Sequence, residues 1–476
     1  MKKSNRLFSA TRDKAGLIPA IIFFTVLYWS QTSTPALALS PHADLKGPFT
    51  TAAEVNTQCI TCHETQAADL RNSVHWTWTR SRSVGNTTVL SGMMTDLSRF
   101  GIAAAVNPGA CRRCHISTSP VTPAAAGALS SGIDCLICHD TTGTYRSGRQ
   151  EADLQHIART VGIPSPRNCR SCHERQCGLV PEIDQGPSRD IHIERYGFTC
   201  QQCHPADGHH SLKRTLRSET APSRQQGCTA CHDQAPHTLA RLNQHALLIA
   251  CQSCHIPEYG KDGPVVVSWN WLLSGNATAI YQQRNKPLAE RGIFLGREII
   301  PHYFWDNGTD ILYTRGTKIH PDRTTRLQGP GPRTPMSKIM PFTVQFGTQL
   351  YDTKYRYLIS PKLPGNTAPF FNGTDWGPVI TRGMNKIRLP YSGQYGFTTT
   401  VSFQRLNHGV VPKDQALDCM DCHGSATRFN WQQLGYERDP WTGEPETTTP
   451  PAPKEKTPSN GLPPIRETIL PVRPTT

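Results

Sequence analysis

Leu, Ile, Val and Phe are sparse for a chain of 476 residues. That length would accommodate two or three ordinary domains. Each would need an aliphatic core that this composition does not supply, while 37 glycines and 39 prolines favour loops around a modest interior. Long apolar runs are also missing. Apart from Leu17 to Trp29, no stretch is apolar enough to cross a bilayer, which excludes a multi-span membrane protein. Acidic residues number 36 against 50 Lys and Arg, giving a formal charge of +14. No module of stacked aromatic and basic residues accompanies that excess, so nucleic acid is not an expected partner.

Cysteine is abundant. Sixteen of the 17 cysteines lie in eight Cys-x-x-Cys-His motifs. The first four are Cys59-Cys62-His63, Cys111-Cys114-His115, Cys135-Cys138-His139 and Cys169-Cys172-His173. The others are Cys200-Cys203-His204, Cys228-Cys231-His232, Cys251-Cys254-His255 and Cys419-Cys422-His423. Two thiols about one turn apart suit thioethers to the two vinyl groups of one porphyrin, and the adjacent His suits its iron. Zinc sites do not require a His directly after every second Cys. A thioredoxin-like redox pair would occur once, near a strand-to-helix junction. Eight repeats in one chain therefore point to eight covalently bound haem c groups, whose porphyrins supply the missing apolar interior.

The N-terminus fits that chemistry. Lys2, Lys3, Arg6, Arg12 and Lys14 precede the apolar run, and small residues end in Ala36-Leu37-Ala38. This reads as an export signal over residues 1–38, cleaved before Leu39, with an uncleaved anchor as the lesser reading. A periplasmic or secreted location follows. Disulfides would also be permitted there, but the strict placement of His selects haem. Removing the leader brings the charge to about +10, and sixteen ionised haem propionates would take it to about −6. Lys and Arg are thus expected first as propionate partners.

Motif starts fall 23 to 52 residues apart between Cys59 and Cys251, too close for an independent core between haems. Helical spacing of apolar residues predicts short helices at Ala53 to Leu70, Asp153 to Val161 and Thr238 to Ala250. Residues 39–255 thus form a seven-haem region, and residues 256–440 a haem-poor region closing with the eighth motif. Strand-like pieces there are Val265 to Trp269 and Tyr355 to Ile359. Trp269, Trp271, Tyr303, Phe304 and Trp305 are expected to pack on haem faces. Residues 441–476 are rich in Pro and Thr and read as a disordered tail. The fold expected is a multihaem cytochrome c: mainly short helices and irregular loops packed around eight haems, with few short strands.

Outside the motifs lie eleven histidines: His42, His75, His156, His192, His209, His210, His237, His245, His302, His320 and His408. An iron with two His ligands suits electron transfer, whereas a weak or missing distal ligand leaves a position for a substrate. Counting alone would permit eight closed irons.

Several strings carry more specific information. They are Ser73-Val74-His75-Trp76-Thr77-Trp78, Asp134 to Tyr145, Asp190-Ile191-His192, Phe198-Thr199-Cys200, Leu242 to His245 with Ala250 to Pro257, and Pro412 to Leu417. With these, residues 54 to 423 resemble the octahaem tetrathionate reductase family of multihaem cytochromes. The resemblance implies seven bis-His haems with distal ligands His75, His192, His209 (or His210), His237, His245, His320 and His408. It also implies a catalytic haem 2, on Cys111, Cys114 and His115. The family's distal lysine at haem 2 has no counterpart, since no Lys lies between Lys46 and Lys213. Arg146 follows the Asp-Thr-Thr-Gly-Thr-Tyr string, but a guanidinium has no lone pair for iron. Cys177 is the one cysteine outside the motifs.

The leading functional expectation is a reductase of a small inorganic sulfur or nitrogen compound such as tetrathionate, nitrite or hydroxylamine. Arg112, Arg113 and Arg146 would supply a positive field for an anion, or pair with propionates. Asp140 would orient pocket water, or cap a turn. His156 would close haem 2, or sit on a helix surface. The alternative is an electron-transfer protein with all irons closed. All eight motifs end in His, unlike nitrite reductases in which Lys replaces one, and the tyrosine-crosslink context of hydroxylamine-oxidising enzymes is absent. The expected redox partner is a small cytochrome or a membrane quinol dehydrogenase.

Overall fold

From residue 42 to residue 255 the described chain runs through helices of four to eleven residues, half of which end on a haem-attachment motif. In this computed structural model the described residues are 42–84, 87–92, 95–97, 101–107, 114, 116, 132–147, 153–173, 190–211, 227–274, 292–363 and 376–441. The expected leader, Cys111, Arg112, Arg113, His115, Cys177 and the Pro- and Thr-rich tail lie outside them. No helix among the described residues is long and apolar enough to cross a membrane.

The predicted helices form where apolar spacing placed them, and turn chemistry trims their ends. Ala53 to Leu70 divides into Ala52–Cys62 and Glu64–Arg71 at His63. A capping box opens the first: Thr51 Oγ1 accepts from Glu54 N at 3.2 Å, and Glu54 Oε2 accepts from Thr51 N at 3.3 Å. The second prediction becomes Leu154–Arg159 and the third Ala240–Leu248.

Side chains from one motif hold the next. Asn56, buried in the first helix, accepts from the backbone N–H of Cys135 at 2.9 Å. Asn168 donates to the carbonyls of Ile137 (3.3 Å) and Asp140 (3.0 Å), tying the helix Pro166–His173 to the motif before it. Gln201 donates to the carbonyl of Pro164 at 2.8 Å. Val55, Leu136, Tyr145, Leu154, Ile157 and Ala158 make a small core under the first and third motifs.

Strands dominate the remainder. After the hairpin β1 (Thr79–Val84) with β2 (Thr87–Gly92) and the short pair β3 (Ala206–Asp207) with β4 (His210–Ser211), seven strands build one sheet. They are β5 (Val265–Asn270), β6 (Ile293–Gly296), β7 (His302–Asp306), β8 (Asp310–Leu312), β9 (Thr325–Pro330), β10 (Lys338–Asp352) and β11 (Tyr395–Arg405). The order is β6-β5-β10-β11-β9-β8, with β7 also on β10. The spine is the antiparallel pair β10–β11, in register from Phe342↔Arg405 to Asp352↔Tyr395. Of the two strand-like pieces, Val265 to Trp269 lies in β5, whereas Tyr355 to Ile359 is a turn with a single bridge, Tyr351↔Leu358.

Trp269 and Trp271 depart from the expectation that they face haem. Both are buried by protein alone, at 0% and 1% exposure, so no porphyrin face is left for them to cover. They pack edge-on at 5.1 Å, and Trp271 meets Trp376 at 5.6 Å. Phe304 likewise packs on Phe342 and Phe403, and Tyr303 on Phe429.

Arg405, at the end of β11, holds the sheet edge electrostatically. Its guanidinium reaches Asp306 (2.6 and 2.7 Å), Asp310 (2.7 Å) and the carbonyl of Thr309 (2.7 Å). Asp306 is fully buried. Arg405→Met would strand two carboxylates in a low-dielectric site, at a cost of about 3–5 kcal/mol. Denaturant unfolding of the holoprotein should show that loss. A change within about 0.5 kcal/mol would mean the network is not stabilising.

Candidate haem sites

Among the described residues, every one of the seven motif histidines stands opposite a second imidazole. The pairs are His42–His63 (6.0 Å between ring centroids), His75–His173 (6.1 Å), His139–His209 (6.0 Å) and His192–His232 (6.1 Å). They continue with His204–His408 (6.0 Å), His237–His255 (6.2 Å) and His245–His423 (6.2 Å). Each joins one motif histidine to one from elsewhere. A metal–imidazole bond is about 2 Å and its nitrogen lies about 1 Å from the ring centre, so two rings on one metal have centroids about 6 Å apart. Interplanar angles run from 15° to 84°, so ring stacking does not set the spacing. The separation is that of two ligands on one iron, and the residues fit haem c.

Burial first and the opposing ring second push the pKa of His75, His204, His209, His245 and His255 below the ordinary imidazole range. The neutral ring is the form that binds a metal. Hydrogen bonds at Nδ1 leave Nε2 for the iron in several rings. His139 Nδ1 meets the carbonyl of Gly162 at 2.8 Å, and His237 Nδ1 meets Asn243 Oδ1 at 3.2 Å. His192 Nδ1 lies 2.9 Å from Asp190 Oδ1, and His423 Nδ1 lies 2.6 Å from Asp439 Oδ1. Burial opposes ionisation of Asp439, but donors from His423, Gly424 and Trp441 outweigh it and hold its pKa below the usual carboxylate range.

Neighbouring motifs follow one another through space. The sulfur of Cys59 lies beside that of Cys135, and the sulfur of Cys169 beside that of Cys200. Cys138 lies in the field of Cys172, Cys203 in that of Cys228 and Cys231, and Cys422 in that of Cys254. His232 similarly acts on His255. These contacts give the order haem 1, 3, 4, 5, 6, 7, 8, with no gap between described neighbours. The last two motifs are anchored to the sheet. Ala250 N and Ser253 Oγ both donate to the carbonyl of Ile339 in β10, at 2.9 and 2.8 Å. Trp431 donates to the carbonyl of Cys422 at 3.1 Å and stacks on the His423 ring at 5.4 Å.

Six of the distal histidines implied by the resemblance face a motif histidine, and His320 does not. It is exposed, and no described motif ring opposes it; His42 occupies the place opposite His63. His209, not its neighbour, supplies the ring facing His139. Asp140 is buried with both oxygens engaged in its own loop. Oδ1 accepts from Thr142 N (2.8 Å) and Thr142 Oγ1 (2.6 Å), and Oδ2 accepts from Tyr145 N (3.0 Å). Arg146 closes the same loop through the carbonyls of Gly143 (3.1 Å) and Tyr145 (2.7 Å). His156 is exposed on Leu154–Arg159 and opposes no described motif histidine. At haem 2 the described residues are Cys114 and Ile116, the latter accepting from Asp134 N at 3.0 Å.

Sequence reasoning passed over His42, Asp190, Asn243 and Asp439. His42 was in the inventory of histidines, but no spacing rule singles out a distal ligand. Asp190 carries a usable signal, since it directly precedes a helix start and lies two residues from His192.

Short helices and loops bearing Cys-x-x-Cys-His motifs, arranged around shared imidazole pairs, define a multihaem c-type cytochrome. Residues 267–426 match the family described as cytochrome c bacterial, and residues 186–256 match cytochrome c7 and related cytochrome c. The crystal structure of octaheme cytochrome c from Shewanella oneidensis is similar over 85% of this chain and 98% of that one, with 35% identity and a TM-score of 0.76. The chain belongs to the octaheme cytochromes c and carries covalently bound haem c. No curated protein matches it.

Proposed function

We propose that this chain is a periplasmic octahaem reductase of a small inorganic sulfur or nitrogen oxyanion, or of hydroxylamine. In this reading seven bis-histidine haems conduct electrons and haem 2 is the substrate site. The observation that carries it is the set of seven imidazole pairs, which supplies two ligands to each of seven irons; the substrate role of haem 2, on Cys111, Cys114 and His115, rests on the resemblance and on the missing distal lysine. Closed irons exchange electrons without binding a substrate, whereas an iron with an exchangeable position can deliver electrons to an S–S or N–O bond. Arg112 and Arg113 are the two residues between the cysteines of that motif and would attract an anion. Export by the N-terminal signal, and a small cytochrome or membrane quinol dehydrogenase as electron donor, complete this reading.

One observation favours the alternative, an electron-transfer protein with every iron closed. Asp140 and Arg146, the pocket groups expected beside haem 2, are engaged in their own loop. Cyanide and nitrite titrations of the oxidised holoprotein separate the two. The reductase reading expects one haem in eight to change its spectrum, and turnover of tetrathionate, nitrite or hydroxylamine with reduced viologen. Neither response in fully loaded protein would leave the electron-transfer reading.

A further inference from the structure

Of the imidazoles whose Nδ1 partner is described above, two donate to neutral oxygens and two to carboxylates. His139 and His237 meet the Gly162 carbonyl and the Asn243 amide. His423 meets Asp439, and His192 meets Asp190. The difference matters because these rings also face an iron. A carboxylate draws the Nδ1 proton toward itself and returns electron density to Nε2, making the ring a stronger donor. A stronger donor, with a fixed negative charge a few ångströms away, stabilises the ferric state over the ferrous one and lowers the potential.

Both carboxylates are built into the fold. The Asp439 side chain is 10% exposed and also accepts from Gly424 N at 2.7 Å and Trp441 N at 2.9 Å. Three donors therefore fix its orientation on His423, and burial keeps solvent from screening its charge. Asp190 uses Oδ1 for His192, while Oδ2 accepts from Gly409 N at 3.1 Å and Val410 N at 3.0 Å. Those amides directly follow His408, whose ring faces His204. One carboxylate thus holds ligands of two neighbouring haems.

We propose that Asp439 and Asp190 are positioning residues that tune haems 8 and 6 to lower potentials than haems 7 and 3, whose ligands donate to neutral oxygens. This rests on the bis-histidine reading above. Along the order 6, 7, 8 the potential is then low, higher and low again, and haem 8 ends the wire as a centre that passes its electron inward at equilibrium. Asp190 has a second role, fixing the segment that carries the distal ligand of haem 5.

The test is Asp439→Asn in the eight-haem protein, followed by potentiometric titration with optical and EPR detection. The amide still accepts from His423 but carries no charge. One component from the lower half of the wild-type titration should move to higher potential, its oxidised-to-reduced ratio changing at least tenfold, or about 59 mV for a one-electron couple. The number of low-spin haems should stay as in wild type, and Asp439→Glu, which keeps the charge, should leave that component close to its wild-type potential. If all eight components superimpose on wild type while the low-spin count is unchanged, tuning by Asp439 is wrong and the ligand pairs stand. Movement of a component in the upper half also overturns it. A wild-type protein without bis-histidine signals would instead remove the reading beneath it.

Discussion

Expression without haem attachment should leave residues 42–255 unfolded. Their helices are four to eleven residues long, below the length at which an isolated helix persists in water. Several bury nothing when only protein atoms surround them: Pro166–His173, Ile191–Glu194, Cys200–Cys203 and Ala240–Leu248 have no buried residue. Their apolar partners are therefore porphyrin faces. The sheet region differs, because Trp269, Trp271, Ile293, Leu350, Val379 and Ile380 form a core of side chains. Replacing the sixteen motif cysteines by serine should abolish most helical circular dichroism and expose residues 42–255 to limited proteolysis, while fragments of the sheet region survive longer. Retention of the full helical signal and protease resistance would show that the helices do not depend on haem.

The second large effect is expected at His42. His42→Ala should convert one low-spin haem to high-spin, because its ring is the one opposing His63 at 6.0 Å. Covalent haem content should not change, since Cys59, Cys62 and His63 remain. His320→Ala, by contrast, should leave the number of low-spin haems as in wild type, because that side chain is exposed and opposes no described motif ring. Optical spectra near the high-spin charge-transfer region and EPR of the oxidised protein read both variants. The reverse pattern, with His320 essential and His42 silent, would reassign the first haem.

These two histidines mark where the sequence stops being legible. Haem attachment is local chemistry: two thiols and a ligand within five residues announce themselves in any fold. Distal ligation is non-local, with partners lying from 18 positions away (His237 to His255) to 204 (His204 to His408). No periodicity encodes such pairings, so only family resemblance reached them, and it did not reach His42, the ring opposite His63.

The same contrast holds for the other elements. Short helices were readable from apolar spacing because their caps are local, as with Thr51 and Glu54. The sheet was only partly readable. β5 lies where its β-branched run predicts a strand, but β10 carries buried residues on both faces, from Ile339 to Leu350, and acquires its register from β11 more than forty residues later. Trp269 and Trp271 were assigned to haem because large aromatics near haem motifs usually pack there, and composition does not show that Trp376 would complete their cluster. Asp140 and Arg146 looked like pocket groups because they flank a Gly-containing string. The turn at Gly143, with φ of 72°, folds that string back on itself, so that Asp140 and Arg146 spend their hydrogen bonds on their own loop.

The arrangement of iron ligands is the central claim, and near-infrared magnetic circular dichroism of the oxidised holoprotein, normalised to haem content, tests it most directly. The seven imidazole pairs, together with the proposed open haem 2, predict bis-histidine charge-transfer intensity equivalent to seven haems in eight, with haem 2 contributing a separate signal that cyanide displaces. Intensity for eight bis-histidine haems, unchanged by cyanide, would contradict the open haem 2. Intensity for six or fewer would contradict the pairing itself.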